Sequence, residues 1–251
     1  MPVWLEAALW GLLGGGALVL GALVAWFARV PQPVIASVMA FGSGVLISAV
    51  AFDLMLEAAD TGGLLPTAIG FLGGALAYVG ANAVLARHGA RHRKHPGARQ
   101  PSEDQQAGSG VAIAVGALLD GVPESVVLGV SLLSGGAVSL SFLAAVFISN
   151  VPEGMSSAAG MKSKGRSAAY VFGVWGSIAA VSAIAALVGA LALDGAPPEA
   201  IAVITAVAAG AILTMIADTM IPEAFEETRT WTGVITTVGF LVAFAIDRAG
   251  S

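Results

Sequence analysis

Apolar residues run along this chain in long unbroken stretches, separated by short breaks rich in proline, glycine or charge. Stretches long enough to cross a bilayer, about 20 residues, fall at roughly 4–27, 33–56, 64–86, 109–133, 138–161, 167–192, 199–221 and 231–248. The pattern predicts an all-α polytopic membrane protein with eight transmembrane helices, a single transmembrane domain over 1–251. The first stretch is expected to remain in the mature protein. It is too long for the apolar core of a signal peptide, has Glu6 nearby and lacks a basic leader.

Composition supports the same class. Of 251 residues 57% are hydrophobic and 11% charged, against about 25% charged in soluble domains, and the mean hydropathy is +0.88. The 33 glycines suit helices whose backbones approach closely. Glycine-rich faces such as Gly11, Gly14, Gly15 and Gly16, or Gly70, Gly73 and Gly74, fit that packing, and a second copy of the chain is a candidate partner. With no cysteine, neither a disulfide framework nor a thiolate metal site is available.

The basic residues give an orientation. With the N-terminus outside, the internal loops carry Arg29, then Arg87, Arg91, Arg93, Lys94 and Arg99, then Lys162, Lys164 and Arg166, then Arg229, leaving Arg248 outside. The positive-inside tendency therefore predicts both termini on the extracytoplasmic side of the cell membrane. The hydrophilic segment 87–108 is predicted to be an internal loop, broken up by Pro96, Gly97, Pro101 and Gly108. It holds all three histidines, His88, His92 and His95. They are candidates for capturing metal, although a basic anchor for an anionic leaflet explains the same cluster.

Acidic residues within the spans carry the chemistry. Asp53 and Glu57 lie in the second, Asp120 and Glu124 in the fourth, Glu153 with Ser149 and Asn150 in the fifth, and Asp218 and Glu223 in the seventh. An ionisable group at membrane depth costs roughly 2.5–3.5 kcal/mol on insertion scales, and no lysine or arginine lies deep enough in the sequence to offset it. Such carboxylates must be protonated or hold a cation. Asp120 and Glu124 are four apart and share a helix face, as do Ser149 and Glu153.

Each of these two spans also contains a proline directly before its glutamate, Pro123 and Pro152. A proline cannot donate to the carbonyl four residues earlier, so the oxygens of Leu119 and Ile148 are freed. Backbone of that kind is tolerated at membrane depth where it lines a cavity or packs in protein. Carboxylates and kinks in two adjacent antiparallel helices predict an oxygen-rich cation site. One such proline alone would indicate only a kink.

An internal likeness adds to this. The second span reads Gly44-Val45-Leu46-Ile47 and ends Asp53-Leu54-Met55-Leu56-Glu57-Ala58. The seventh reads Gly210-Ala211-Ile212-Leu213 and ends Asp218-Thr219-Met220-Ile221-Pro222-Glu223-Ala224. The two cross in opposite directions, which predicts an inverted 3+2+3 repeat of the kind that exposes a midplane site to either side.

Eight spans, external termini, a histidine-bearing loop after the third span and paired proline-glutamate motifs together resemble the ZIP (Zrt/Irt-like) divalent metal transporters, over essentially the whole chain. Asp53 to Ala58 is similar to the family's His-Leu-Leu-Pro-Glu-Ala pattern, and Ile221-Pro222-Glu223 matches its counterpart. The resemblance implies uptake of zinc, iron or manganese as substrate, through a site on the fourth and fifth helices. In the motif His-Asn-x-Pro-Glu-Gly, Asp120 stands for the histidine, Gly121 for the asparagine, Glu124 for the glutamate and Ser125 for the glycine. Ser149 stands where His or Gln is frequent, while Asn150 and Glu153-Gly154 match. The implied ligands are Asp120, Glu124 and Glu153, with Asn150 and Ser149 as weaker contributors, and the pathway residues are Asp53, Glu57, Asp218 and Glu223.

With both motif histidines replaced the donor set is all oxygen, which favours manganese or iron(II) relative to zinc. Zinc still accepts carboxylates and stays a candidate substrate. The partners expected are the metal ion and the lipid bilayer, with no nucleic acid. Two other classes share the buried acids: a proton-coupled transporter of another substrate, and a membrane protein that senses metal without moving it. An enzyme is not expected, because the chain has no His-Glu-x-x-His, no cysteine and no histidine within a span.

Overall fold

Proline and glycine set the helix ends. The computed structural model describes residues 1–90, 109–135 and 140–250. These form α1 (Val3–Phe27), α2 (Gln32–Ala49), α3 (Leu56–Gly62), α4 (Leu64–Leu85), α5 (Ser109–Gly135), α6 (Leu140–Ser163), α7 (Ala168–Ala192), α8 (Pro198–Met215), α9 (Ile221–Thr228) and α10 (Thr232–Gly250). Pro33, Pro198 and Pro222 stand in the first turns of α2, α8 and α9, where the missing N–H is no loss. Gly63, at φ +82°, ends α3 and opens α4, a backbone conformation that glycine adopts without strain. Ser167 caps α7 by accepting from the Tyr170 N–H at 3.2 Å.

Three short π-helical segments were not legible in the pattern. Val50–Met55 joins α2 to α3, Ile216–Met220 joins α8 to α9, and Ala86–Ala90 extends α4. The second has a direct cause: Pro222 cannot donate to the carbonyl of Asp218, so the ordinary helical bond is lost there. The third segment shows that residues 87–90 are helical, so the predicted loop starts later than expected. The rest of it, 91–108, with His92 and His95, lies outside the described residues.

No strand occurs among the described residues. Six segments are long and apolar enough to cross a membrane: Val3–Phe27, Gln32–Gly62, Leu64–His88, Val111–Leu133, Ala168–Ala192 and Pro198–Arg248, the last running through α8, α9 and α10. This is an all-α, multi-pass membrane protein. The apolar side chains that would be misplaced in water are on the outside, as a bilayer requires. On α4, Leu64, Leu65, Ile69, Leu72 and Leu76 are between 62% and 78% exposed. Helix α6 is not among the six because its serines, Asn150 and Glu153 lower its hydropathy. Of its 24 residues 15 are buried, among them Ser149, Asn150, Glu153, Ser156 and Ser157.

The helices pack as two groups of four. Helices α1, α5, α6 and α7 form one bundle, with α1 laid along α6 and α7, and α7 along α5. Leu18, Ile113, Met161, Trp175 and Ile178 fill its core. Helices α2, α4, α8 and α10 form the other, in which α4 pairs with α8 and α2 with α10. The bundles meet along α2–α6 and α5–α8.

Four of these helix pairs are closed by the same device. A Cβ on Gly44 of α2 would strike the Thr236 carbonyl of α10, and one on Gly239 the Phe41 carbonyl of α2. Gly210 of α8 meets Phe71 of α4 in the same way, and Gly74 meets Val207. In the α1 bundle, Gly21 meets Val151 and Gly154 meets Leu18, while Gly129 meets Ala186 and Gly189 meets Val126. In every case each helix offers a carbonyl and, three residues later, a glycine. Backbones held this close gain dispersion contacts that larger residues would prevent.

Candidate functional site

Helix α5 carries Asp120 and Glu124 one turn apart, and α6 carries Ser149, Asn150 and Glu153. All five are buried, with Asp120 at 3%, Glu124 at 2% and Glu153 at 3% exposure. Pro123 and Pro152 lie inside helices that continue through them. The freed carbonyls are therefore local gaps in the ladder rather than breaks in the rods. Beside Pro123, Ser125 Oγ donates to the Gly121 carbonyl at 2.7 Å.

The neighbours of these residues differ from the sequence expectation. Helices α5 and α6 touch at few points and are not packed along each other. Helix α1 is wedged between them. A Cβ on Gly14 would lie 3.2 Å from Leu128 Cδ1 of α5 and 3.4 Å from Val146 Cγ1 of α6. The Gly14 carbonyl accepts a hydrogen bond from Asn150 Nδ2 at 3.1 Å. Asn150 thus ties α6 to α1. Ser149 Oγ donates to the Val146 carbonyl at 2.9 Å, and its backbone abuts Gly42 of α2, where a Cβ would come within 3.0 Å of Ser149 Cα.

Asp120 has a partner that sequence reasoning missed. Tyr78 of α4, 1% exposed, donates its hydroxyl to Asp120 Oδ1 at 2.6 Å. The one available signal was the polar tip of a tyrosine, one of two in the chain, in a mostly apolar span. Among the described residues, no three histidine, aspartate or glutamate side chains come together as a group that could hold a metal ion. Asp120, Glu124 and Glu153 share the buried interior without forming a closed three-ligand cage.

The other acidic residues lie toward the two ends of the bundle. Asp218 and Glu223 line a cavity of about 380 Å³ with Asn82, Ala86, Thr219, Pro222 and Glu226. It lies between the C-terminal ends of α4 and α8. Asp53 lines a much smaller cavity, about 30 Å³, among α2, α6 and α10. Since α2–α3 turns into α4 at Gly63, these cavities are at opposite ends. Glu57 follows on α3, part-buried. His88 sits at the end of the α4 extension with its Nδ1 2.9 Å from the Val84 carbonyl oxygen, a contact made by the tautomer protonated there.

No protein-family model matches the chain, and no curated protein matches its sequence.

Proposed function

We propose that the chain is a divalent metal importer, similar to the ZIP transporters, with zinc, iron(II) or manganese as cargo. One observation carries this reading: three carboxylates, Asp120, Glu124 and Glu153, are buried to within 3% of complete, while no lysine or arginine is buried among the described residues. A neutral interior does not need three acids, whereas a route for cations does. Oxygen donors of this kind suit manganese, iron(II) and, less selectively, zinc.

The proposed topology has eight spans, α1, α2–α3, α4, α5, α6, α7, α8–α9 and α10, with both termini extracytoplasmic at the cell membrane. Helix α6 joins the six strongly apolar segments because its polar face is covered by protein. The outer triplets are read as an inverted 3+2+3 repeat. The glycine-carbonyl pairs support it: α2 with α10 matches α8 with α4, and α1 with α6 matches α7 with α5. Helix pairs locked by glycines, α1 with α6 and α5 with α7 among them, suit a transporter in which locked pairs move against one another.

In this reading the wide cavity at Asp218 and Glu223 is the cytoplasmic mouth, and the narrow one at Asp53 the extracytoplasmic mouth, with the molecule open inward. Drawing Asp120, Glu124 and Glu153 around an ion takes a movement of α5 relative to α6 past the Gly14 wedge. The test is uptake of zinc, manganese, iron(II), cadmium and magnesium into proteoliposomes by wild type and Glu153→Ala. Saturable uptake of one ion, reduced at least tenfold in the variant, supports the reading. Folded, oriented protein that binds metal but moves none would assign it instead to a sensor, and pH-linked flux without metal to a proton-coupled transporter.

A further inference from the structure

Charge is sorted between two cavities at the same end of the bundle. The one between the ends of α4 and α8 is lined by Asp218, Glu223 and Glu226 and by no lysine or arginine. The other lies where α1 ends, α2 begins and α6 ends. It has a volume of about 450 Å³ and is lined by Arg29 and Lys162 and by no aspartate or glutamate. Glu227 lines a separate cavity, with Pro33 and Ser37 of α2. Neither Arg29 nor Lys162 makes an ion pair among the described residues. Two cations brought to one cavity without a carboxylate repel each other, and an anion between them removes that cost.

Lys162 is held in place. Its Nζ donates to the Trp26 carbonyl at 2.6 Å and lies 5.1 Å from the centroid of the Trp26 ring. That carbonyl is among the last of α1, so the ammonium closes the helix and complements its dipole. Capping of this kind accounts for Lys162 alone, and it leaves Arg29 on the same cavity unexplained. The bond takes one of the three ammonium donors. A charge already fixed at the cavity costs less ordering when a ligand arrives, and the planar fork of Arg29 suits two phosphate oxygens at once.

Aromatic residues set the depth. Trp26 meets Phe172 edge-on with ring centroids 5.8 Å apart, Phe27 is 79% exposed, and the Arg166 guanidinium lies 5.0 Å from the Tyr170 ring centroid. Tryptophan and tyrosine gather at the level of lipid headgroups. The rest of the cavity wall is largely apolar, with Ala25, Ile35 and Ala159 on it. A free phosphate gains nothing from those three residues, whereas a phosphate carrying its own apolar body does. Basic pockets between transmembrane helices take anionic lipid headgroups in this way.

We propose that this cavity binds the headgroup of an anionic phospholipid, its phosphate held by Arg29 and Lys162 and its glycerol end against Ala25, Ile35 and Ala159. The lining comes from α1 and α6 on one side and α2 on the other, so a bound lipid joins α2 to the α1–α6 pair. The site does not depend on what the protein transports.

The test is native mass spectrometry and thermal melting of the full-length protein in neutral detergent, titrated with phosphatidylglycerol or phosphatidylcholine. Wild type, Arg29→Gln, Lys162→Gln and Lys164→Gln are compared. Wild type is expected to prefer phosphatidylglycerol, and Arg29→Gln and Lys162→Gln each to weaken it about fivefold. Lys164→Gln, which removes the same charge away from the cavity, is expected to change it by less than about twofold. Phosphatidylglycerol should raise the melting midpoint of wild type more than that of Arg29→Gln. If Lys162→Gln fails to fold for want of the α1 cap, Arg29→Gln decides, since Arg29 is exposed. Equal binding of the two lipids, or an equal loss in Lys164→Gln, would mean a diffuse basic surface and overturn the site. Displacement of phosphatidylglycerol by millimolar glycerol 3-phosphate would assign the cavity to a soluble anion and overturn the lipid. No arm measures metal uptake, so failure of the transporter reading leaves the result standing.

Discussion

Tyr78 Oη donates a 2.6 Å hydrogen bond to Asp120 Oδ1, linking α4 of one bundle to α5 of the other. It joins a peripheral helix to the first acid of the proline-glutamate motif, at a depth where neither group meets solvent. Tyr78→Phe is expected to lower stability by about 1–3 kcal/mol, the usual loss when a buried hydrogen bond to a carboxylate is removed. Thermal unfolding in detergent measures it. Combining it with Asp120→Asn should cost less than the sum of the two, because both remove the same bond. Full additivity would mean that the bond contributes nothing.

The glycine-carbonyl pairs give a sharp steric contrast. Gly44→Ala and Gly210→Ala each drive a methyl into a neighbouring backbone carbonyl, and overpacking of this kind costs typically 1–3 kcal/mol. Gly173→Ala meets nothing within 4 Å and should be neutral or stabilising by up to about 1 kcal/mol, as alanine is the better helix former. Melting midpoints of the three variants, in one detergent, check the ordering.

Donor chemistry should set ion preference. Asp120→His places an imidazole on α5 beside Glu124, and nitrogen donors favour zinc over manganese. The expected result is a zinc-to-manganese uptake ratio raised at least severalfold over wild type. A ratio moved toward manganese would contradict the placement of Asp120 among the ligands.

Gly121, where the resembled family has asparagine, has room for a side chain. Only Ser182 Oγ, at 3.7 Å, lies within 4 Å of a Cβ placed there. Gly121→Asn is expected to leave the melting midpoint within a few degrees and to increase metal bound per chain in dialysis. A strongly destabilised variant would show that α7 closes this space.

The absence of cysteine makes the orientation directly measurable. Asp194→Cys, in the turn after α7, should react with a membrane-impermeant thiol reagent applied to intact cells. Lys164→Cys, between α6 and α7, should react only after permeabilisation. The reverse pattern would invert the topology.

The helices were legible because lipid imposes a simple rule, about 20 apolar residues per crossing. The expected 167–192 and 231–248 stretches differ from α7 and α10 by no more than a couple of residues at either end. Burial of Asp120, Glu124 and Glu153 could likewise be read from charge placed within apolar runs. Neighbours could not. That α1 separates α5 from α6 depends on Gly14 lacking a side chain on the face toward Leu128 and Val146, and nothing local distinguishes Gly14 from Gly16, which meets nothing within 4 Å. The π segment at Val50–Met55 was hidden for a related reason: no proline marks it, unlike the one before Pro222.

Helix α1 lies along α6 and α7, and α2 along α10. Helices made early along this stretch are thus partnered with ones made much later. Each must wait in the bilayer, its glycine face against lipid, until more than a hundred further residues have been inserted. Helices stable alone in lipid can wait in this way before associating. The α2–α10 pair closes only when α10 arrives, so a chain truncated before Thr232 would leave α2 without its closing partner.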